Sequence, residues 1–294
     1  MTPTDLLILT VAGLIAGILA GFLGIGGGTV LVPFLVALGY SPVHSVASSS
    51  FSILITAVSG SVQNWRMGMF SFKRVMGIGF PSVVSAQMGV YLASRIHSYY
   101  LLGGFGLLLL LNIYLIQLRK HLIARKKDNL ILTESVPELG ISDFKNQISN
   151  ITDHSTTKSP LKNLFFNLTV SRIAIGSVAG VLAGLFGVGG GVIMVPMQIL
   201  LLRETIKTAI QTSLGVIVIT SVSACVGHAL RNNVLWITGF VLGFGGIIGA
   251  QMSTRFLPRL PDEILSLAFR TLLAILSVYV FWLAWQSYIQ RIGY

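Results

Sequence analysis

The sequence predicts an all-α, polytopic membrane protein built from two homologous helical repeats in inverted orientation, each opening with a glycine-broken segment. Three observations carry this. Apolar residues make up 53% of the 294 and charged residues only 10%, against roughly 25% charged in a soluble domain. The apolar residues gather into runs near Leu6–Leu38, Val46–Gln63, Val75–Ala93, Leu101–Leu118, Ile173–Leu202, Ala209–Ala229, Val234–Met252 and Ile264–Trp285. Most exceed the roughly 18 residues that mark a spanning helix. Finally, GILAGFLGIGGGTVLVP at 17–33 returns as GVLAGLFGVGGGVIMVP at 180–196, an offset of 163 with ten of seventeen positions identical. A soluble fold would have to bury every run with almost no polar surface to cover it. Continuous runs exclude a transmembrane β-barrel, which needs short alternating segments.

The first run, Leu6 to Leu38, is 33 residues, or about 50 Å as one helix, against a hydrocarbon core of about 30 Å. Each glycine costs a helix about 1 kcal/mol relative to alanine, so the chain breaks at GIGGG. It then either continues across as a broken, tilted helix or turns back as a hairpin. Pro33 and Pro196, five residues past the last glycine of each motif, are too deep for a first turn and should kink the segment. The next run is rich in hydroxyls and amides: Ser48, Ser49, Ser50, Ser52, Thr56, Ser59, Ser61, Gln63 and Asn64. The third carries Ala86-Gln87-Met88, which recurs as Ala250-Gln251-Met252 at an offset of 164, implying one inserted residue in the second half. After the fourth run, Arg119–Lys162 is dense in charge, Asn, Ser and Thr and resists burial. The chain therefore divides into a first transmembrane repeat (1–119), a polar, basic cytoplasmic linker (120–165) and a second repeat (166–294). The second polar helix offers Gln211, Thr212, Ser213, Thr220, Ser221, Ser223 and His228, with Thr212-Ser213 matching Ser49-Ser50 at offset 163.

Basic residues test the topology. If each half crosses four times, short loops carry five Lys/Arg (Arg66, Lys73, Arg74, Arg231, Arg291) against five (Arg95, Arg203, Lys207, Arg255, Arg259). If the broken run returns to its own side, the halves are inverted. The count is then seven (Arg66, Lys73, Arg74, Arg203, Lys207, Arg255, Arg259) against three (Arg95, Arg231, Arg291), and the basic linker joins the seven. The positive-inside rule favours this inversion, with both termini outside. The N-terminus has no basic n-region, Arg66 being the first basic residue, so the first run reads as a retained segment of a multi-pass cell-membrane protein. The net charge of +11 belongs to the linker and loop ends and does not imply nucleic-acid binding. The lone Cys225 allows no internal disulfide and no thiolate metal cage and packs as a small apolar residue.

Irregular backbone is tolerated at membrane depth only where protein buries it or it lines a wet cavity. Gly26, Gly27, Gly28, Gly189, Gly190 and Gly191 therefore read as two half-helix ends meeting near the midplane. Their N–H groups and dipoles suit an anion. The glycines spaced by four, Gly13/Gly17/Gly21 and Gly176/Gly180/Gly184, read instead as a helix-contact face. Ser49, Ser50, Thr212 and Ser213 are the expected hydroxyl donors. Gln87 and Gln251 could bond the substrate or lock two helices. Arg270, the one basic residue well inside a run, could balance the anion or snorkel. His228 could carry a proton, though a lone histidine near a helix end is more often structural. No Asp or Glu lies deep in any run; Asp5, Glu204, Asp262 and Glu263 sit at ends or in loops. This disfavours cation sites and carboxylate proton relays. No metal-ligand cluster, nucleophile elbow or P-loop is present, so neither an enzyme nor a cofactor is expected.

GFLGIGGGTVLVP with its downstream SSS, and GLFGVGGGVIMVP with its downstream TS, resemble the sulfite exporter TauE/SafE family, also called the TSUP permeases. The paired Ala-Gln-Met and the 4+4 arrangement agree; the linker is long and polar for that family. The resemblance implies transport of sulfur-containing or organic anions such as sulfite, sulfoacetate or related sulfonates. The reading is a secondary permease of small oxyanions working by alternating access, its partners being the anion, the bilayer and possibly a second copy of the chain. An anion channel and a non-transporting membrane assembly or sensor component are its rivals.

Overall fold

The computed structural model describes residues 2–97, 99–115 and 168–292; the linker falls outside them. Ten α-helices are described: α1 (Pro3–Leu23), α2 (Gly28–Ala37), α3 (Pro42–Arg66), α4 (Phe72–Ala93), α5 (Tyr99–Leu115), α6 (Leu168–Phe186), α7 (Gly191–Leu201), α8 (Ile206–Ala229), α9 (Trp236–Phe256) and α10 (Asp262–Ile292). A 3₁₀ turn at Leu257–Arg259 follows α9, and no strand occurs among the described residues. Seven of these helices are long and apolar enough to cross a membrane, while α2, α5 and α7 are shorter and apolar.

Local chemistry sets the helix starts. Thr2 and Asp5 form a capping box at α1, with Pro3 in the first turn. Ser41 caps α3 ahead of Pro42, and Thr205 caps α8. α1 ends at Gly24 in the left-handed conformation, as a C-cap glycine does.

Glycine faces set the packing. Gly13, Gly17 and Gly21 bring α1 against Leu242, Gly246 and Ser253 of α9; Gly176, Gly180 and Gly184 bring α6 against Ile78, Ser82 and Ala86 of α4. A methyl group at most of these glycines would strike a backbone carbonyl of the neighbour, so the small-residue face is a contact face, as its spacing predicts. Each half's first helix thus docks on the fourth helix of the other half. The order of contacts also fixes direction. Gly239, Gly243 and Gly246 meet Phe51, Ile55 and Thr56 in turn, so α1, α3 and α9 run one way. Gly215, Gly79 and Gly227 meet Val75, Ile219 and Gln87, so α4, α6 and α8 run the other.

Because α1 and α3 run in the same direction, α2 must return between them. Leu31 and Leu35 of α2 do cluster with Leu9 and Ala16 of α1. The long first run is a hairpin of about 31 Å out and about 15 Å back. The helix ends then sort the charges. Arg66, Lys73, Arg74, Arg203, Lys207, Arg255 and Arg259 lie at the end of the molecule that holds the α3–α4 loop, and Arg95, Arg231 and Arg291 at the opposite end. Two ion pairs tie the first face together: Arg74 Nε to Glu204 at 3.7 Å and Lys207 Nζ to Asp262 at 3.8 Å, with Lys207 also donating to the Pro258 carbonyl at 3.0 Å.

α2 has ten residues and α7 eleven. Gly24 meets Ile210 where Gly187 meets Val46, and Gly79 meets Ile219 where Gly243 meets Ile55, contacts spaced by 163 or 164 positions.

Candidate functional site

The two glycine breaks meet in the core. Gly26, Gly27, Gly189 and Gly190 have φ of 78°, 76°, 73° and 77°, the left-handed region open to glycine. The break segments lie back to back: Gly28 sits against the Gly187 carbonyl, Gly191 against the Gly24 carbonyl, and Gly26 against that of Val188. All six triplet glycines are buried. Backbone conformation and this contact together favour glycine at these positions. The side-chain floor under both breaks is Ile53 and Ile217, each of which touches glycines of both halves.

Backbone hydrogen bonding is interrupted here. Gly24 N–H bonds the Ala20 carbonyl, and Val30 and Leu31 N–H bond that of Gly27. Between them, the N–H groups of Ile25 through Thr29 have no acceptor among the described residues. Val188 through Val192 behave alike, between the Gly187 bond to Ala183 and the Met194 bond to Gly190. More than nine in ten buried backbone donors are paired in folded proteins. These two buried rows of donors each open a helix, with the positive end of its dipole behind them. Sequence reasoning missed Thr29, which adds a fully buried hydroxyl with no partner among the described residues. Its one signal was a polar residue at the place where the second motif has Val192.

The expected hydroxyl donors divide by role. Ser49 Oγ donates to the carbonyls of Val46 and Gly187, both at 2.9 Å, and Ser50 Oγ to Val46 at 2.9 Å. Their protons are engaged by these carbonyls, and Ser49 clamps α3 to the opposite break. Thr220, whose Oγ1 reaches the Gly189 carbonyl at 3.1 Å, does the same from α8. Ser213 Oγ accepts from Gln198 Nε2 at 3.0 Å, leaving its own proton free, and Thr212 has no partner among the described residues. The two glutamines diverge. Gln87 Nε2 donates to the Ser223 carbonyl and hydroxyl at 2.6 and 2.9 Å, locking α4 to α8, whereas Gln251 stands on an exposed face of α9. Of the two roles expected for these glutamines, Gln87 has the helix-locking contact. Two guanidinium nitrogens of Arg270, Nε and Nη2, are buried without a partner among the described residues. His228 is fully buried, with Nε2 3.1 Å from the Gly184 carbonyl, tying α8 to α6. Cys225 is a buried free thiol. No group of three or more His, Cys, Asp or Glu that could hold a metal occurs among the described residues.

Comparison with known proteins agrees with this architecture. The chain is 28% identical over 260 residues to the probable membrane transporter protein YunE of Bacillus subtilis, covering 84% of this chain and 88% of that one. It is 24% identical over 245 residues to a probable membrane transporter protein of Methanocaldococcus jannaschii, covering 81% and 76%. A 63-residue stretch is 38% identical to the sulfite exporter TauE/SafE family protein 1 of Arabidopsis thaliana, 21% of this chain and 14% of that one. No solved structure matches. The family model for the sulfite exporter TauE/SafE matches residues 9–280. The chain belongs to the sulfite exporter TauE/SafE family and is a multi-pass membrane transporter rather than an enzyme.

Proposed function

We propose that the protein is a secondary permease of small oxyanions, sulfur-containing or organic, bound between the two glycine breaks and moved by alternating access. The observation that carries this reading is the pair of buried, acceptor-free N–H rows at Ile25–Thr29 and Val188–Val192. Such donors favour a small anion and offer nothing to a cation. Thr29, Thr212 and Ser213 supply hydroxyls nearby in sequence, and Arg270 supplies a buried positive charge without a counter-ion among the described residues. The family name adds sulfite as the first substrate to try.

The mechanism follows from the opposed helix directions. Corresponding helices α1 and α6, α3 and α8, α4 and α9 run in opposite senses, which supports two inverted repeats around a site at their interface. Rocking of one repeat against the other exposes the breaks to each side alternately. The seven-to-three division of basic residues supports a cytoplasmic α3–α4 face, with the linker on it and both termini outside, in the cell membrane. Purified protein in liposomes should show saturable uptake and counterflow of sulfite, thiosulfate, a sulfonate or a carboxylate. Flux without saturation or counterflow would indicate a channel. No flux of any of these under any imposed gradient would overturn the reading.

A further inference from the structure

At the α3–α4 face a cleft of about 570 Å³ opens between α3, α4 and α8. Val58, Val62, Val75, Val218 and Ile219 wall it, Gly215 forms part of its floor, and Trp65 and Phe72 stand exposed at its mouth. No charged side chain lines it. The cleft runs from Trp65, one residue from the end of α3, to Val58, about 10 Å deeper along the helix at 1.5 Å per residue. That is about two thirds of one leaflet of a 30 Å core.

Its outer rim is basic. Arg66 and Lys73 flank the mouth, exposed and without an ion pair or hydrogen bond among the described residues. Arg74, beside them, is held by Glu204. An apolar slot of acyl-chain depth, aromatic residues at interface level and two free cations just beyond them match one amphiphile.

We infer that this cleft binds an anionic phospholipid of the α3–α4-face leaflet, one acyl chain lying along Val58, Val62 and Val218 and the headgroup on Arg66 and Lys73. A water-filled entrance for the transported anion would not be lined by Val, Met and Phe without a charge.

The test uses the full chain with Trp236, Trp282 and Trp285 replaced by Phe, leaving Trp65 as reporter, in nanodiscs of phosphatidylcholine with increasing brominated phosphatidylglycerol or brominated phosphatidylcholine. Half-maximal quenching should need about thirtyfold less of the anionic lipid, the preference expected from two basic residues near one headgroup. Arg66→Gln with Lys73→Gln, both exposed and safe for folding, should abolish that preference. Val58→Phe with Val218→Phe, which narrow the cleft from its own walls, should lower the quenching by both lipids. Equal quenching by the two lipids overturns the proposal, as does a preference untouched by the double variant. So does rapid modification of Met76→Cys, in a Cys225→Ser background, by a membrane-impermeant thiol reagent, which would make the cleft aqueous.

Discussion

The tight seat of each break against its own preceding helix can be tested by adding one methyl group at a time. Gly103, on α5, has nothing within 4 Å of where a Cβ would sit. Gly103→Ala should therefore stabilise by about 0.5–1 kcal/mol, the helix-interior gain of alanine over glycine. Gly39 has φ of 90° and is equally open, so Gly39→Ala carries only the left-handed cost, about 1–2 kcal/mol. Gly27 combines φ of 76° with a Cβ position 2.9 Å from the Ala16 carbonyl oxygen. The clash adds an overpacking cost of about 1–3 kcal/mol, so Gly27→Ala should lose about 2–5 kcal/mol in all. Gly190→Ala, with the Ala179 carbonyl at 2.5 Å, should match or exceed it. Equilibrium unfolding in mixed micelles, followed by helix content, gives the ordering. If Gly27→Ala falls within about 0.5 kcal/mol of Gly39→Ala, near the usual limit of additivity, the close contact of the break with α1 is refuted.

Four further outcomes follow from the site and its surroundings. Arg270→Gln should raise the KM for anion uptake without blocking membrane insertion, measured by initial rates in liposomes; an unchanged KM removes Arg270 from the pathway. Gln87→Ala should cost about 1 kcal/mol in unfolding experiments, for its lost helix-to-helix bonds, while Gln251→Ala should leave both stability and flux as they are. Ser49→Ala should destabilise by about 1–3 kcal/mol because it strands the buried Gly187 carbonyl; Ser49→Thr should restore part of that. Burial pushes the Glu204 carboxyl above its ordinary 4.5, with Arg74 and then Arg172 pulling the other way. A raised acid favours the fold while protonated, so its contribution is complete below pH 4.5 and is lost as pH rises through the raised value. Glu204→Gln should flatten the melting midpoint across that window.

Much of the fold was legible because membrane helices declare themselves. The apolar runs locate the described helices to within a few residues, and the break at GIGGG marks where α1 ends. The charge pattern at the helix ends was legible too, since Lys and Arg sit where the chain leaves the hydrocarbon. The partnerships were not. Ala-Gln-Met occurs in both halves, yet Gln87 meets Ser223 from 136 positions away and Gln251 faces outward. Ser49 reads as a free hydroxyl until Gly187, 138 residues on, is seen to take its proton. Thr29 was passed over because one polar residue in an apolar motif carries no weight until its hydroxyl is found without a partner.

The exchange of helices between halves has a consequence for how the protein is made. The Gly13/Gly17/Gly21 face of α1 finds its partner only on α9, about 230 residues later in synthesis, a gap of roughly 10–50 s at ribosomal speed. Through that interval the first helix sits in the bilayer with its narrow, glycine-lined side uncovered, close to any other small-residue helix in the membrane. The α1–α9 contact can therefore form only after α6, the partner of α4, has been synthesised. A chain released before residue 242 would hold a complete first half with its leading helix unclasped. Quality-control proteases of the membrane could recognise such a product by that exposed groove alone.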